Sequence, residues 1–195
     1  ADFAPPRRRV PFGLVAILLA VLAVAGAATY FVLNTDFGGG DTPSQAAAPA
    51  PLHTAKLIGA DDFDPFGSDR EEHSYEVRNV YDGDKTTTWS TENYTNAVFP
   101  AGKSGVGIFV WSDNAVSARR IDVLTTTPGF TARVYGANRI PSSLPQWGKP
   151  LATLKGSGER LHATLPGKRY SRYLVWITKL PAQGQVSIAD IRLLE

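Results

Sequence analysis

The chain has 195 residues, with no Cys and no Met, 20 Lys and Arg against 18 Asp and Glu, and 43% hydrophobic residues. That composition fits one globular domain of ordinary size plus extensions; it excludes a disulfide scaffold, a Cys-ligated zinc site, a thiol nucleophile and a collagenous or wholly disordered chain. The net charge of +2 comes from Arg7, Arg8 and Arg9 set against Asp2, so the rest of the chain is neutral and gives no reason to propose a nucleic-acid partner.

Residues 1–9 read as a short basic tail. From Val10 to Leu33 no charged residue occurs. About 20 residues of helix cross a hydrocarbon core of about 30 Å, so this run is long enough to span a bilayer with slack for tilt. Pro11 stands at its start, where a missing N–H costs little, and Tyr30 and Phe31 lie at its far end, where aromatic rings favour the interface. The Arg triplet before the run, against Asp36 and Asp41 after it, places residues 1–9 in the cytoplasm. The expectation is a single-pass protein of the cell membrane, held in lipid by residues 10–33, with everything beyond them extracytoplasmic. A cleaved signal peptide is the rival reading, although its apolar core is usually shorter. With no Met, the chain is expected to be a piece of a longer protein or to have lost its first residue.

Residues 34–55 hold Gly38–Gly40 and an Ala/Pro run, with too little apolar bulk to pack. They read as a flexible tether, spanning on the order of 26 Å root-mean-square. Residues 56–195 form the expected folded domain. Short apolar runs alternate there with Gly, Pro, Asn and Asp, giving candidate strands at 107–111, 118–126, 131–137, 151–154, 160–165, 170–178 and 185–194. Within 170–178, Tyr173, Val175 and Ile177 share one face and Leu174 and Trp176 the other; both sets are apolar, so this strand is expected to be central and covered on both sides. In the last strand Val186 and Ile188 alternate in one phase and Ile191 and Leu193 in the other. A β-bulge at Ala189–Asp190 restores both pairs to one face and re-aims Asp190. Seven or eight strands with no long helix predict an all-β antiparallel sandwich or barrel.

The segment NVYDGDKTTTWST (Asn79–Thr91) resembles the A-x-D-G-(D/N)-x-x-T-x-W signature of discoidin-type domains, also called F5/8 type C or galactose-binding-like jelly rolls. The closing SIADIRLL (Ser187–Leu194) is similar to that family's last strand. The resemblance covers residues 56–195 and implies an antiparallel jelly-roll β-sandwich whose loops at one end meet ligand. Together with DFDPFGSDREE and RYLVWITKL, it also resembles the outer domain of actinobacterial membrane proteins in which a serine/threonine kinase or kinase-like domain precedes one transmembrane helix. It implies a non-catalytic binding or sensing module for cell-envelope carbohydrate; the alternative is a docking domain for an envelope protein. Carried over by motif, a structural calcium would be held by Asp82, Asp84, Thr87 or Thr88, and Asp190.

Trp89 and Trp176 read as core. Tyr94, Trp111, Phe130 and Trp147 lie beside turn residues and are candidate sugar-stacking contacts. The acidic segment Asp61–Glu72 fails as an EF-hand, since Phe66 and His73 fall at ligand positions, and reads as a solvated turn. Gly102–Gly105 (GKSG) lacks the first glycine of a phosphate loop. No enzyme motif is found, so no catalytic residue and no cofactor beyond calcium is expected.

Overall fold

The computed structural model describes residues 51–195 except Ser68. The expected tail, membrane span and most of the tether lie outside these residues. Among the described residues no helix is long and apolar enough to cross a membrane.

Among the described residues nine strands form: β1 (Leu57–Phe63), β2 (Trp89–Ser90), β3 (Val106–Val116), β4 (Arg120–Thr125), β5 (Thr131–Ala137), β6 (Ala152–Lys155), β7 (Arg160–Thr164), β8 (Tyr170–Lys179) and β9 (Ser187–Leu194). They build one sheet in the order β1-β3-β8-β5-β6 and a second in the order β2-β9-β4-β7, with antiparallel pairing throughout. This is the all-β antiparallel sandwich that the strand spacing predicts.

The core lies between the sheets. Val106, Ile108 and Val110 of β3, Tyr173, Val175 and Ile177 of β8, and Ile121 and Val123 of β4 all point into it. Trp89 and Phe130 fill it, at 0% and 1% exposure. As its two apolar faces predict, β8 is the middle strand of the larger sheet. Its second face, with Leu174 and Trp176, joins Phe63, Phe109, Tyr135 and Trp147 in a separate apolar layer on the sheet's outer side. A 3₁₀ turn at Leu144–Trp147 lies over that layer, and Trp147 meets Phe63 and Phe109 at ring-centre distances of 5.8 Å each.

The bulge in β9 occurs where the phase slip demands it. Leu124 pairs with Asp190 and Thr125 with Ile188, so Ala189 is the extra residue. Ile188, Ile191 and Leu193 consequently all enter the core.

Two strands escaped the sequence reading. β1 is an edge strand carrying Gly59, Asp61 and Asp62, which break its apolar alternation. β2 is two residues long, below what periodicity detects.

The registers sort the connections into two ends. Residues 64–73, 91–105, 126–130, 156–159 and 180–186 share one end, tied by Tyr94 N–H to Gly184 O and Gly129 N–H to Gly156 O, at 2.9 and 3.1 Å. At the other end the chain arrives: His53 exchanges main-chain bonds with Glu195 (2.9 Å each), and Thr54 bridges Leu194.

Candidate functional site

The end opposite the arriving chain is organised around Glu72, which is wholly buried. Its Oε2 accepts the Glu92 N–H at 2.7 Å, and its Oε1 accepts the Tyr94 hydroxyl and the Lys103 ammonium, the latter at 2.8 Å. Its carbonyl accepts the Trp89 Nε1–H at 2.6 Å, and its own N–H goes to Asp62 Oδ2 at 2.6 Å. Asp64, 4% exposed, accepts from Lys103 at 2.7 Å and from the Phe66 N–H at 3.0 Å. Gly67 is required there, because a Cβ would fall 2.4 Å from Asp64 Oδ2. The solvated-turn reading of the acidic segment is therefore corrected for these two residues. Their charges are tolerated in the interior because each is paired and hydrogen-bonded.

Burial opposes a charge on Lys103, but its hydrogen bonds to Asp64 and Glu72 outweigh this and hold its pKa above the ordinary lysine value. Burial, then the hydrogen bond to Glu72 and its charge, push Tyr94 far up, so its hydroxyl stays a neutral donor.

One carboxylate thus pins three separate points of the 91–105 loop. Between those points lies a cleft of about 560 Å³, walled by Asn93, Tyr94, Val98, Phe99 and Lys103. Tyr94 packs edge-on against Phe99, ring centres 4.8 Å apart, and the Lys103 ammonium stands 5.0 Å from the Tyr94 ring centre. At the rim Asn96 and Ala97 have φ of 58° and 54°, and Val98 is 65% exposed. Left-handed backbone at a non-glycine residue persists only where its surroundings enforce it, and such residues collect at ligand-contacting loops. The cleft offers an amide, an ammonium, aromatic edges and an aliphatic patch. That set suits recognition of a polar ligand with apolar faces.

Of the aromatic candidates, only Tyr94 lines this cleft. Trp111 lies on the outer face of the larger sheet, its ring across Gly59, where a Cβ would approach Cζ2 to 2.1 Å. Phe130 at 1% and Trp147 at 3% exposure serve the two apolar layers, which corrects their placement as loop contacts. The four rings form no common platform.

Of the expected calcium ligands, Asp82, Asp84 and Thr87 are bonded together in one turn, whereas the Asp190 carboxylate is taken by Arg192. Asp82 Oδ1 accepts the Asp84 N–H at 2.8 Å, Asp84 Oδ1 accepts the Thr86 N–H at 2.9 Å, and the Thr87 hydroxyl bonds Asp82 Oδ2 at 3.0 Å. The Thr88 carbonyl accepts from Asn79 at 2.8 Å. Asp190 instead pairs with Arg192 at 2.7 Å on the outer face of the smaller sheet. Among the described residues no three His, Asp or Glu side chains are grouped as a metal would need.

Sequence reasoning missed Glu72 and Lys103. The signal available was a lysine in a short glycine-flanked segment (Gly102–Gly105) that no phosphate-loop pattern explains.

No family model and no curated protein matches the chain. Solved structures share its fold. The family 32 carbohydrate-binding module of C. perfringens NanJ, in complex with galactose, is 13% identical over 74% of this chain and 100% of its own, with a TM-score of 0.54. The corresponding module (CBM32) of AlyQ, in complex with 4,5-unsaturated mannuronic acid, is 14% identical over 72% of this chain and 97% of its own, with a TM-score of 0.51. A mutant of chitosan-binding module 1 from a chitosanase/glucanase of Paenibacillus sp. IK-5 is 15% identical over 74% and 100%, with a TM-score of 0.52. The described domain therefore has the fold of carbohydrate-binding modules, which is the discoidin-like galactose-binding sandwich that the D-G-x-x-T-x-W segment implies.

Proposed function

We propose that the sandwich is a non-catalytic carbohydrate-binding module that takes a glycan of the cell envelope in the cleft between Asn93 and Lys103. The observation that carries this reading is the cleft itself, a recess at the loop end whose wall is fixed from within by Glu72. A binding loop ordered before its ligand arrives loses less entropy on association. The galactose, uronate and chitosan ligands named for proteins of this fold support the class of ligand. In the same reading, residues 1–9 are a cytoplasmic tail, 10–33 anchor the chain in the membrane, the part of 34–55 that precedes His53 tethers the domain outside, residues 53–55 being bonded to the last strand, and a kinase-like domain precedes residue 1.

Titration calorimetry of the full chain against soluble envelope glycans tests the cleft. We expect binding that Phe99→Ala weakens about tenfold or more, while thermal melting shows the fold intact. Failure of every glycan to bind, with capture of an envelope protein that the same substitution abolishes, would replace this reading by protein docking. A calcium at the 82–87 turn would rest on Asp82, Asp84, Thr87 and main-chain carbonyls without Asp190. It would raise stability by about 2.7 kcal/mol at a hundredfold excess over Kd. A melting shift below about 1 °C at millimolar calcium removes the ion from the reading.

A further inference from the structure

The outer face of the smaller sheet carries chemistry that the cleft does not use. Three adjacent strands set their outward side chains in register there. Asp122 of β4 stands between His162 of β7 and Arg192 of β9; one step along, Leu124 stands between Arg160 and Asp190. These residues and Arg120 line a hollow of about 120 Å³. The arginines that line the hollow, Arg120, Arg160 and Arg192, stand on strands and not on loops.

Two of the arginines are aimed by a carboxylate. Asp122 holds Arg120 through Nε at 2.5 Å and Nη2 at 2.8 Å, and Asp190, whose side chain is 13% exposed, holds Arg192 through Nε at 2.7 Å. A guanidinium carries five N–H donors, so each pair fixes the fork and leaves donors over. Arg160 is exposed and has no carboxylate within salt-bridge distance among the described residues. The hollow is therefore lined by three positive charges, two of them held in place, against two negative ones, with His162 beside them. Half-buried Leu124 supplies an apolar floor.

Oriented forks around a hollow fit planar carboxylates presented by a chain with apolar ring faces. From this arrangement we infer a second binding site, for an anionic saccharide whose sugar carboxylates pair with Arg160, Arg192 and Arg120 while a ring covers Leu124. A bilayer is the less suitable occupant, because a membrane-docking face projects large apolar side chains, whereas Leu124 here is half-buried among charged ones.

The probe is a soluble hexameric oligogalacturonate, titrated into the full chain in detergent micelles, with a neutral galactose oligomer and anionic phospholipid vesicles as parallel arms. We expect oligogalacturonate to bind, and its affinity to fall as salt rises from about 50 to about 500 mM. Arg160→Ala should weaken it about fivefold to tenfold with melting unchanged, and Arg160→Lys should recover only part of the loss. Phe99→Ala in the cleft should leave this binding intact, so failure of the cleft reading and failure of this one are read separately. The inference is overturned if oligogalacturonate does not bind, if its binding ignores Arg160→Ala, if Phe99→Ala alone abolishes it, or if anionic vesicles bind through Arg160 as well as the oligomer does.

Discussion

At the scale of single residues, Glu72 concentrates more structure than any other polar group described. It accepts from Glu92, Tyr94 and Lys103 without solvent contact. Glu72→Gln leaves Lys103 facing Asp64 alone, and breaking a buried ion pair typically costs about 3–5 kcal/mol. Urea denaturation checks this. The pKa values of Lys103 and Tyr94 are both raised in the folded state, so above about pH 10 the native protein binds more protons than the unfolded chain. Their contribution is complete below that pH and is lost as pH rises beyond it. Melting temperatures at alkaline pH should fall less steeply in Tyr94→Phe than in the parent. Two tryptophans offer a paired test. Trp89 Nε1 bonds the Glu72 carbonyl, whereas the buried Nε1 of Trp147 has no partner among the described residues. Trp89→Phe should therefore destabilise by about 1–2 kcal/mol more than Trp147→Phe, read from the same urea curves. Trp89 was legible as core because T-x-W fixes its setting. Glu72 was not: carboxylates are almost never buried without a partner, and its partner lies in a distant, nondescript segment.

Among the elements, β9 was the most legible and β1 the least. The phase slip between Ile188 and Ile191 specifies a bulge, because the period of a strand is two and only an inserted residue reconciles both halves with one core. Deleting Ala189 should rotate either Val186 and Ile188 or Ile191 and Leu193 out of the core. We expect loss of the cooperative melting transition, measured by circular dichroism, whereas Ala189→Gly keeps the transition with a lower midpoint. The same bulge bears on Asp190, which the motif offers as a calcium ligand and whose carboxylate is paired with Arg192 in this structure. Sequence shows that the residue is re-aimed, but the direction depends on Arg192, which takes its carboxylate. β1 was hidden because an edge strand buries less and tolerates Gly59, exposed Asp61 and half-buried Asp62 in its sequence. Its position matters, since it brings Asp62 to the Glu72 N–H and Asp64, just past its end, to Lys103.

Across the whole described domain, the two ends have different work. One gathers the cleft and its buried supports; the other joins residues 53–55 to 193–195. Chain ends this close predict that linking residue 195 to residue 51 through a short glycine spacer, and opening the chain at the exposed Gly156–Gly158 turn, preserves the fold. The permuted domain should melt cooperatively within a few degrees of the parent; an uncooperative transition would show that β6 and β7 must be contiguous. This layout was only half legible: alternation shows where most strands lie along the chain and that β8 is central, but the order of strands in the sheets and which loops share an end follow from pairing and register, which alternation does not give.

The same layout fixes how the sandwich responds to tension. β1 runs from the arrival end toward the cleft, antiparallel to β3 over Leu57–Phe63. A pull on residue 51, resisted at the cleft end, is directed along that strand. Its ladder is then loaded in shear, with its hydrogen bonds straining together instead of parting one after another. Drawn lengthwise, the domain behaves as a rivet and not as a zip.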